Sequence, residues 1–436
     1  MSIRQFLVAA CLLPALSAWA QGAAPQGPHS AAAPATPVAV SLQQALAAAR
    51  SNLDVALARS ALAAAQADVV SANRAPLPVL TTKLSQMDLQ NGTGSGNFLG
   101  EQRIDKSIGL DWTWERGNKR ELRTLSAERS ASAARADLDS VRTEQLLAAQ
   151  AGFFDLLAAQ ERLSQIRQIA ASSAELARSA QRRVQAGDLA AQEAARTEIE
   201  AQRALSEAAL AELERRRAAL ALWQNTGIAV AAEQLQAQTD WPALQTPANA
   251  DQALDALVQA RAEVRAAQAR LDAAQAAVDG SLALKRSDIT WGASYDHYPG
   301  TSNALLELRM QMPLQWGYSY QGEIARAQAQ LAQARDALEK VRRLARAELQ
   351  QLQQAVQTTA ERTQTYERDI LPRARQVADG AELAYRKGAL SLTDLLDARR
   401  TLRATLLDAL AARTDFAKAS TAWQLRTQAP AEADTP

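Results

Sequence analysis

Two long stretches of helical periodicity, each bounded by glycines, limit what this chain can become. Gly117 and Gly187 stand 70 positions apart, and Gly317 and Gly388 stand 71 apart. At about 1.5 Å per residue, a continuous helix between either pair is about 105 Å long, and no globular domain needs such a rod. Along the second stretch Ile324, Ala327, Leu331, Ala334, Leu338, Val341 and Ala345 recur at intervals of three and four. This is a narrow seam of the coiled-coil kind, and alanine within it lets helices approach closely. Composition agrees: aromatic residues are 4% of the chain, while Ala, Gln, Arg, Glu and Leu dominate, as in long helices and coiled coils.

The chain also repeats itself. Gly187 has its counterpart in Gly388, and Trp223-Gln224 in Trp423-Gln424. SALAAAQADV (60–69) resembles ARLDAAQAAV (269–278) at a slightly longer offset, so the first half carries an insertion. The Gly-rich NGTGSGN (91–97) is the obvious loop. Each half has one plan: a helix of about 35 residues, a strand-like segment, a very long helix, a Gly break and a return helix. The expected boundaries are 41–228 for the first repeat, with two strands in 77–116 and a tip near 187. For the second they are 249–428, with strands in 287–316 and a tip near 388. A linker of residues 229–248 joins the two.

Between the helices the period changes to two. Ile104, Ile108, Leu110, Trp112 and Trp114 alternate with Asp105, Ser107, Gly109, Asp111 and Thr113, with one interruption at Lys106. Ile289, Trp291, Ala293 and Tyr295 alternate with polar neighbours, and so do Leu306, Leu308, Met310, Met312 and Leu314. These are strands with one apolar and one polar face. Between Leu77 and Leu89 the pattern is poorer, and a fourth strand there rests on the duplication. Trp112, Trp114, Trp291 and Trp316 fall in or beside these strands, as interfacial aromatic belts do. The other reading of the apolar faces is a small soluble sheet packed on the chain's own helices.

Residues 1–20 read as a secretory signal: Arg4, an apolar run from Phe6 to Leu16, and a small-residue site at Ala18-Trp19-Ala20. Cys11, the only cysteine, also follows a lipoprotein-like Val8-Ala9-Ala10, so cleavage and lipidation there is the alternative. Cleavage at Ala20 leaves no thiol for disulfides or metal. Residues 21–40 and 429–436 are rich in Ala and Pro and read as disordered. With 48 basic and 47 acidic side chains, nothing suggests a nucleic-acid partner. Two histidines, His29 and His297, form no metal cluster, no catalytic or cofactor-binding constellation is present, and an enzyme is not expected. Past the signal no apolar run reaches a helical span, so a membrane crossing must use strands.

Two hairpins cannot close a barrel, and lipid does not tolerate open edges. Identical copies must therefore pool strands. Two copies give eight and three give twelve; since side chains fill an eight-stranded interior, an open conduit argues for a homotrimer. The expected fold is mainly α with a small transmembrane β part, a trimeric 12-strand barrel standing on an α-helical periplasmic barrel.

The segment Ile370-Leu371-Pro372-Arg373-Ala374, then Ala384-Tyr385-Arg386-Lys387-Gly388-Ala389-Leu390-Ser391, then Asp394-Leu395-Leu396-Asp397-Ala398-Arg399-Arg400 resembles the second-repeat pattern of TolC-type outer-membrane factors, the outer membrane efflux proteins. The duplicated plan extends that resemblance over nearly all of the mature chain. Glu115-Arg116-Gly117-Asn118-Lys119-Arg120 resembles the strand-to-helix junction of the CzcC-like, metal-exporting branch, with Asn118 interrupting its Gly-Lys-Arg element. The resemblance implies an outer-membrane exit duct of a tripartite efflux system for metal cations or drugs, extending into the periplasm and needing no cofactor. It would be served by a periplasmic membrane-fusion adaptor and an inner-membrane transporter of the RND type. It also implies that Gly187 and Gly388 sit at periplasmic tips where the channel closes and the adaptor docks. Tyr385 and Glu193 would carry gate contacts between hairpins, and Asp188 would line the tip; Leu390 stands where relatives carry a basic partner. A soluble periplasmic coiled-coil adaptor or tether is the rival, but it should carry one hairpin flanked by lipoyl-like domains.

Overall fold

The computed structural model describes residues 37–88, 90–98, 102–238, 241–245 and 254–427. The expected signal peptide, residues 21–36, Cys11, His29 and the expected tail 429–436 lie outside them. All described elements belong to one unit, residues 37–436.

The first repeat begins with strand β1 (Val38–Val40) and helices α1 (Leu42–Ala49) and α2 (Leu53–Ala72). It continues through strands β2 (Val79–Ser85) and β3 (Asp105–Trp114) into α3 (Lys119–Gln185), and returns along α4 (Ala191–Thr226). A 3-10 turn (Ala232–Gln234) and strand β4 (Leu235–Ala237) lead to the second repeat. That repeat runs α5 (Leu254–Ala260), α6 (Ala262–Ala283), β5 (Ile289–Tyr298), β6 (Ser302–Gln311), α7 (Gln321–Thr365), a π turn (Tyr366–Ile370), α8 (Leu371–Arg386) and α9 (Leu392–Thr427).

α3 is one helix of 67 residues, about 100 Å at about 1.5 Å per residue. Its counterpart is not uniform. α7 passes into the π turn and then into α8, whose first turn holds Pro372. Proline has no N–H to give the preceding turn, and the extra residue of a π turn is one way a helix absorbs that loss. The predicted seam on α7 is where this helix meets its neighbours: Ala327, Leu331, Leu338 and Ala345 are buried, with Ile324, Ala334 and Val341 half-buried.

Three expectations need correction. The opening helix of each repeat is two helices rather than one of about 35 residues. Ser41 and Gln44 form a capping box that starts α1, and Asn52 caps α2 by accepting the Asp54 N–H. Asn52 Nδ2 donates to the Asn225 carbonyl at 2.7 Å and to Gln145 at 3.1 Å, so the break is pinned to α3 and to the end of α4. Arg261 makes the matching break between α5 and α6. Second, β6 ends at Gln311, short of the alternation through Leu314, because Pro313 cannot continue a hydrogen-bonded ladder. Third, residues 38–40 of the expected disordered linker form β1, which pairs in parallel with β4 inside the expected linker 229–248, Val38 opposite Leu235. Three residues of each strand carry no periodicity that marks a sheet.

The core is a set of helix interfaces. Phe153, Phe154, Leu156 and Leu157 of α3 pack with Ala219 and Leu222 of α4 and with Leu235 of β4. Trp241 stacks on Phe154 at 5.9 Å. In the second repeat Leu338, Leu349 and Val356 of α7 pack with Phe416 and Trp423 of α9. The duplicated tryptophans are not equivalent: Trp423 is buried, whereas Trp223 is exposed.

Candidate functional site

Two regions stand out, the sheet and the hairpin ends. The sheet is antiparallel throughout, in the order β2-β3-β5-β6. Each repeat supplies one hairpin, and β3 joins β5 at the centre, with Trp112 directly opposite Trp291. The weakly patterned fourth strand is β2. Alternation sends Leu80 and Leu84 of β2 to the same face as Ile108, Leu110, Trp112 and Trp114 of β3. Trp291 and Tyr295 of β5 continue that face, as do Leu306, Leu308 and Met310 of β6.

Every one of these side chains is at least 50% exposed. A half-exposed aromatic ring still shows roughly 100 Å², so this face exceeds the ~300–600 Å² patch usual on a soluble monomer. The chain's own helices do not cover it, contrary to the soluble-sheet reading. Trp112, Trp114 and Trp291 gather at the end of the sheet nearest the helices. Trp316 lies outside the strands, between β6 and α7, and is 86% exposed.

The opposite face is polar and internally bonded. Asp111 accepts from Thr81 Oγ1 at 2.7 Å and pairs with Arg309, tying β2, β3 and β6 together across β5. The strap crosses at Gly292, where a Cβ would stand 2.3 Å from Asp111 Oδ1. Glycine is required there by the close approach of a side chain from each direction. Ser294 donates to Asp296 at 3.1 Å on the same face. Among the described residues, both outer strands, β2 and β6, have one edge without a partner.

The hairpin ends are built alike. α3 ends with Gly187 at φ +85° and α8 with Gly388 at φ +75°. The Gly187 N–H donates to the Val184 carbonyl at 3.0 Å and the Asp188 N–H to Arg183 at 2.8 Å. The Gly388 N–H donates to Tyr385 at 3.0 Å and the Ala389 N–H to Ala384 at 2.9 Å. Each pair is a Schellman closure, in which a left-handed residue lets two N–H groups reach back to the last free carbonyls. The same bonds thus recur 201 positions apart.

The two ends also touch. Arg183 lies over the Tyr385 ring at 5.8 Å and donates to its hydroxyl at 3.4 Å. Leu390, which stands where relatives carry a basic partner, is half-buried; the cation beside Tyr385 comes from the other hairpin. Asp188 is exposed, and Glu193 is half-buried in the first turn of α4. Neither side chain hydrogen-bonds to another described residue. Higher up, Arg400 pairs with Glu200, and Arg403 with Glu207 at 2.9 Å, joining α9 to α4. Sequence reading missed Arg183 and these pairs, because partners about 200 residues apart leave no local spacing to detect.

Known proteins share this architecture. Residues 247–425 match the family model described as outer membrane efflux protein. The chain is 28% identical over 384 residues to the cobalt-zinc-cadmium resistance protein CzcC of Cupriavidus metallidurans, covering 87% of this chain and 86% of that one. Its fold matches the outer-membrane channel OprN with a TM-score of 0.74 at 19% identity, covering 89% and 90% of the two chains. It matches CusC with a TM-score of 0.75 at 17% identity, covering 88% and 91%. A duplicated plan of long helices, paired Schellman ends and an uncovered amphipathic sheet therefore has its counterpart in channel proteins, and the second repeat of this outer-membrane protein matches the outer membrane efflux protein family, whose members are channels rather than enzymes.

Proposed function

We propose that three copies of this chain pool their four-stranded sheets into a closed twelve-stranded barrel in the outer membrane, and that their helices continue the wall as a periplasmic tunnel. The observation carrying this reading is the uncovered apolar face of an edge-open sheet. In lipid each unpaired backbone group costs several kcal/mol, so the free edges of β2 and β6 need partners, and β6 of one copy beside β2 of the next supplies them. Twelve strands leave an open interior where eight do not. The polar face of the sheet, with Asp111 and Arg309, then lines water.

The duct is passive and forms the exit of a tripartite efflux system, fed by an inner-membrane transporter of the RND type through a periplasmic membrane-fusion adaptor. Gly187 and Gly388 mark the periplasmic tips at which the adaptor docks, with Asp188, Glu193 and Tyr385 around the closed aperture. The relative named for cobalt, zinc and cadmium resistance, aligned over 87% of this chain, favours divalent metal cations as cargo. The isolated amphipathic strands disfavour the soluble tether.

Extraction decides the first part: a mature protein that stays soluble and monomeric without detergent sinks the duct. Cysteines introduced beside Gly187 and Gly388 should crosslink to the cognate adaptor, and their labelling from outside the cell would reverse the orientation. Removing the protein should lower tolerance to cobalt, zinc or cadmium; unchanged tolerance to all three would set the metal assignment aside.

A further inference from the structure

Two cationic or basic groups interrupt the apolar face at its far end. Lys106 and His297 stand directly opposite each other on β3 and β5. Alternation places both on the face of Trp112, Trp291 and Tyr295, at the end of the sheet away from the helices. Their ends are enclosed yet unsatisfied: Lys106 Nζ and His297 Nε2 are buried and have no hydrogen-bond partner. The ring of Phe98 covers Lys106 at 5.3 Å from its centroid. His297 is held by its other nitrogen, Nδ1, against the Asn303 carbonyl at 3.0 Å, which aims Nε2 away from the backbone.

A desolvated ammonium without a counter-charge is costly. The described acids of these strands do not relieve it, because Asp105, Asp296 and Glu307 alternate to the opposite face. Two adjacent nitrogen sites with no carboxylate of the described residues on their side suit an anion rather than a metal cation. Their depth indicates which anion. Lys106 lies eight residues along β3 from Trp114, about 27 Å at about 3.4 Å per residue. Tilted as barrel strands are, that is about 20 Å of depth, close to the ~25 Å apolar band of outer-membrane barrels. The pair thus falls where hydrocarbon gives way to headgroups on the side opposite the helices.

We infer that Lys106 and His297 bind a phosphate group of an outer-leaflet membrane glycolipid, one per subunit. The Lys106 ammonium donates to the phosphate oxygens, a charge-assisted bond in a site partly shielded by Phe98, with His297 Nε2 the neighbouring nitrogen on the same face. The acyl chains lie along Leu84, Ile108 and Tyr295. The lipid would fasten the barrel rim to its own leaflet. The inference rests on the membrane reading proposed above, since only a lipid-facing surface meets such a headgroup.

The test uses the detergent-solubilised, assembled protein in native mass spectrometry, with three probes: diphosphorylated lipid A, the same lipid with both phosphates removed, and inorganic phosphate. The wild-type protein should retain one diphosphorylated lipid per subunit, and the dephosphorylated lipid at least ~10-fold less. Lys106→Gln with His297→Gln should lose that preference, while Lys106→Arg keeps it. Equal retention of both lipids, or an undiminished preference in the double variant, overturns the inference. So does one phosphate held per subunit in millimolar inorganic phosphate with no gain for the lipid, which would assign a free anion. If the double variant does not assemble, the two lipids compared on wild-type protein still decide. A protein that needs no detergent would instead defeat the membrane reading itself, a separate result.

Discussion

At the scale of single residues, backbone conformation and close approach govern the positions that matter. A Cβ at Gly187 or Gly388 meets nothing within 4 Å, so Gly→Ala there costs only the left-handed conformation, about 1–2 kcal/mol each. Gly→Asn should cost less. Thermal denaturation of the alanine and asparagine variants at each site checks the order, and an unshifted alanine variant would contradict the Schellman geometry. Gly292 is different, because its Cβ would displace Asp111. Gly292→Ala should separate Asp111 from Arg309 and lower the heat stability of the assembled sheet by more than Gly187→Ala does. Glu212 on α4 accepts from Arg215 at 2.9 Å and Arg216 at 3.0 Å, and these bonds, Arg215 first, hold its carboxyl below the ordinary glutamate range. A lowered value in the folded state means that its stabilisation is present above about pH 4.3 and is lost as pH falls through the folded value. Glu212→Gln should therefore flatten the acid limb of a melting-temperature profile below about pH 5 and cost stability at neutral pH.

At the scale of elements, the breaks carry as much information as the helices. Arg261, at the junction of α5 and α6, is buried and pairs with Glu263 and with Glu348 at 2.6 Å, while donating to the Ala345 carbonyl at 3.3 Å. Arg426 of α9 reaches the same Glu348 at 3.0 Å. Arg261→Ala leaves that cluster without its central cation. Because the glutamates are partly exposed, the cost should be about 1–3 kcal/mol rather than that of a fully buried pair, read from denaturation midpoints. The 3.6-residue rhythm of α3 and α7 was plain in the sequence because dozens of residues repeat it. The breaks after α1 and α5 were not, since Asn52 and Arg261 act through partners on α3, α4 and α7. β2 was legible only through the duplication, because Thr81, Thr82 and Lys83 weaken its alternation.

At the scale of the whole molecule, one sheet presents two unlike faces. Its apolar face bears Trp112, Trp114 and Trp291, while Trp423 is buried among helices. In bilayers containing brominated acyl chains, fluorescence from the sheet tryptophans and from Trp316 should be quenched. A protein retaining only Trp423 should not be. Equal quenching of both would mean that the helices, rather than the sheet, enter lipid. The surface ion pairs between α4 and α9 add little each to stability, and their interest is that they link the two repeats near the hairpin ends.

The sequence by itself determined the rods, the duplicated plan, the glycine ends and the two-faced strands, since each is written in a local period or in a residue with special backbone freedom. Only the tertiary structure decided that β3 pairs with β5, that β1 and β4 meet across 197 positions, that Arg183 rather than a residue near Leu390 faces Tyr385, and that Lys106 and His297 stand side by side. Those are pairings between distant segments, chosen by packing and register, and a period read along one segment holds no information about which other segment it will meet.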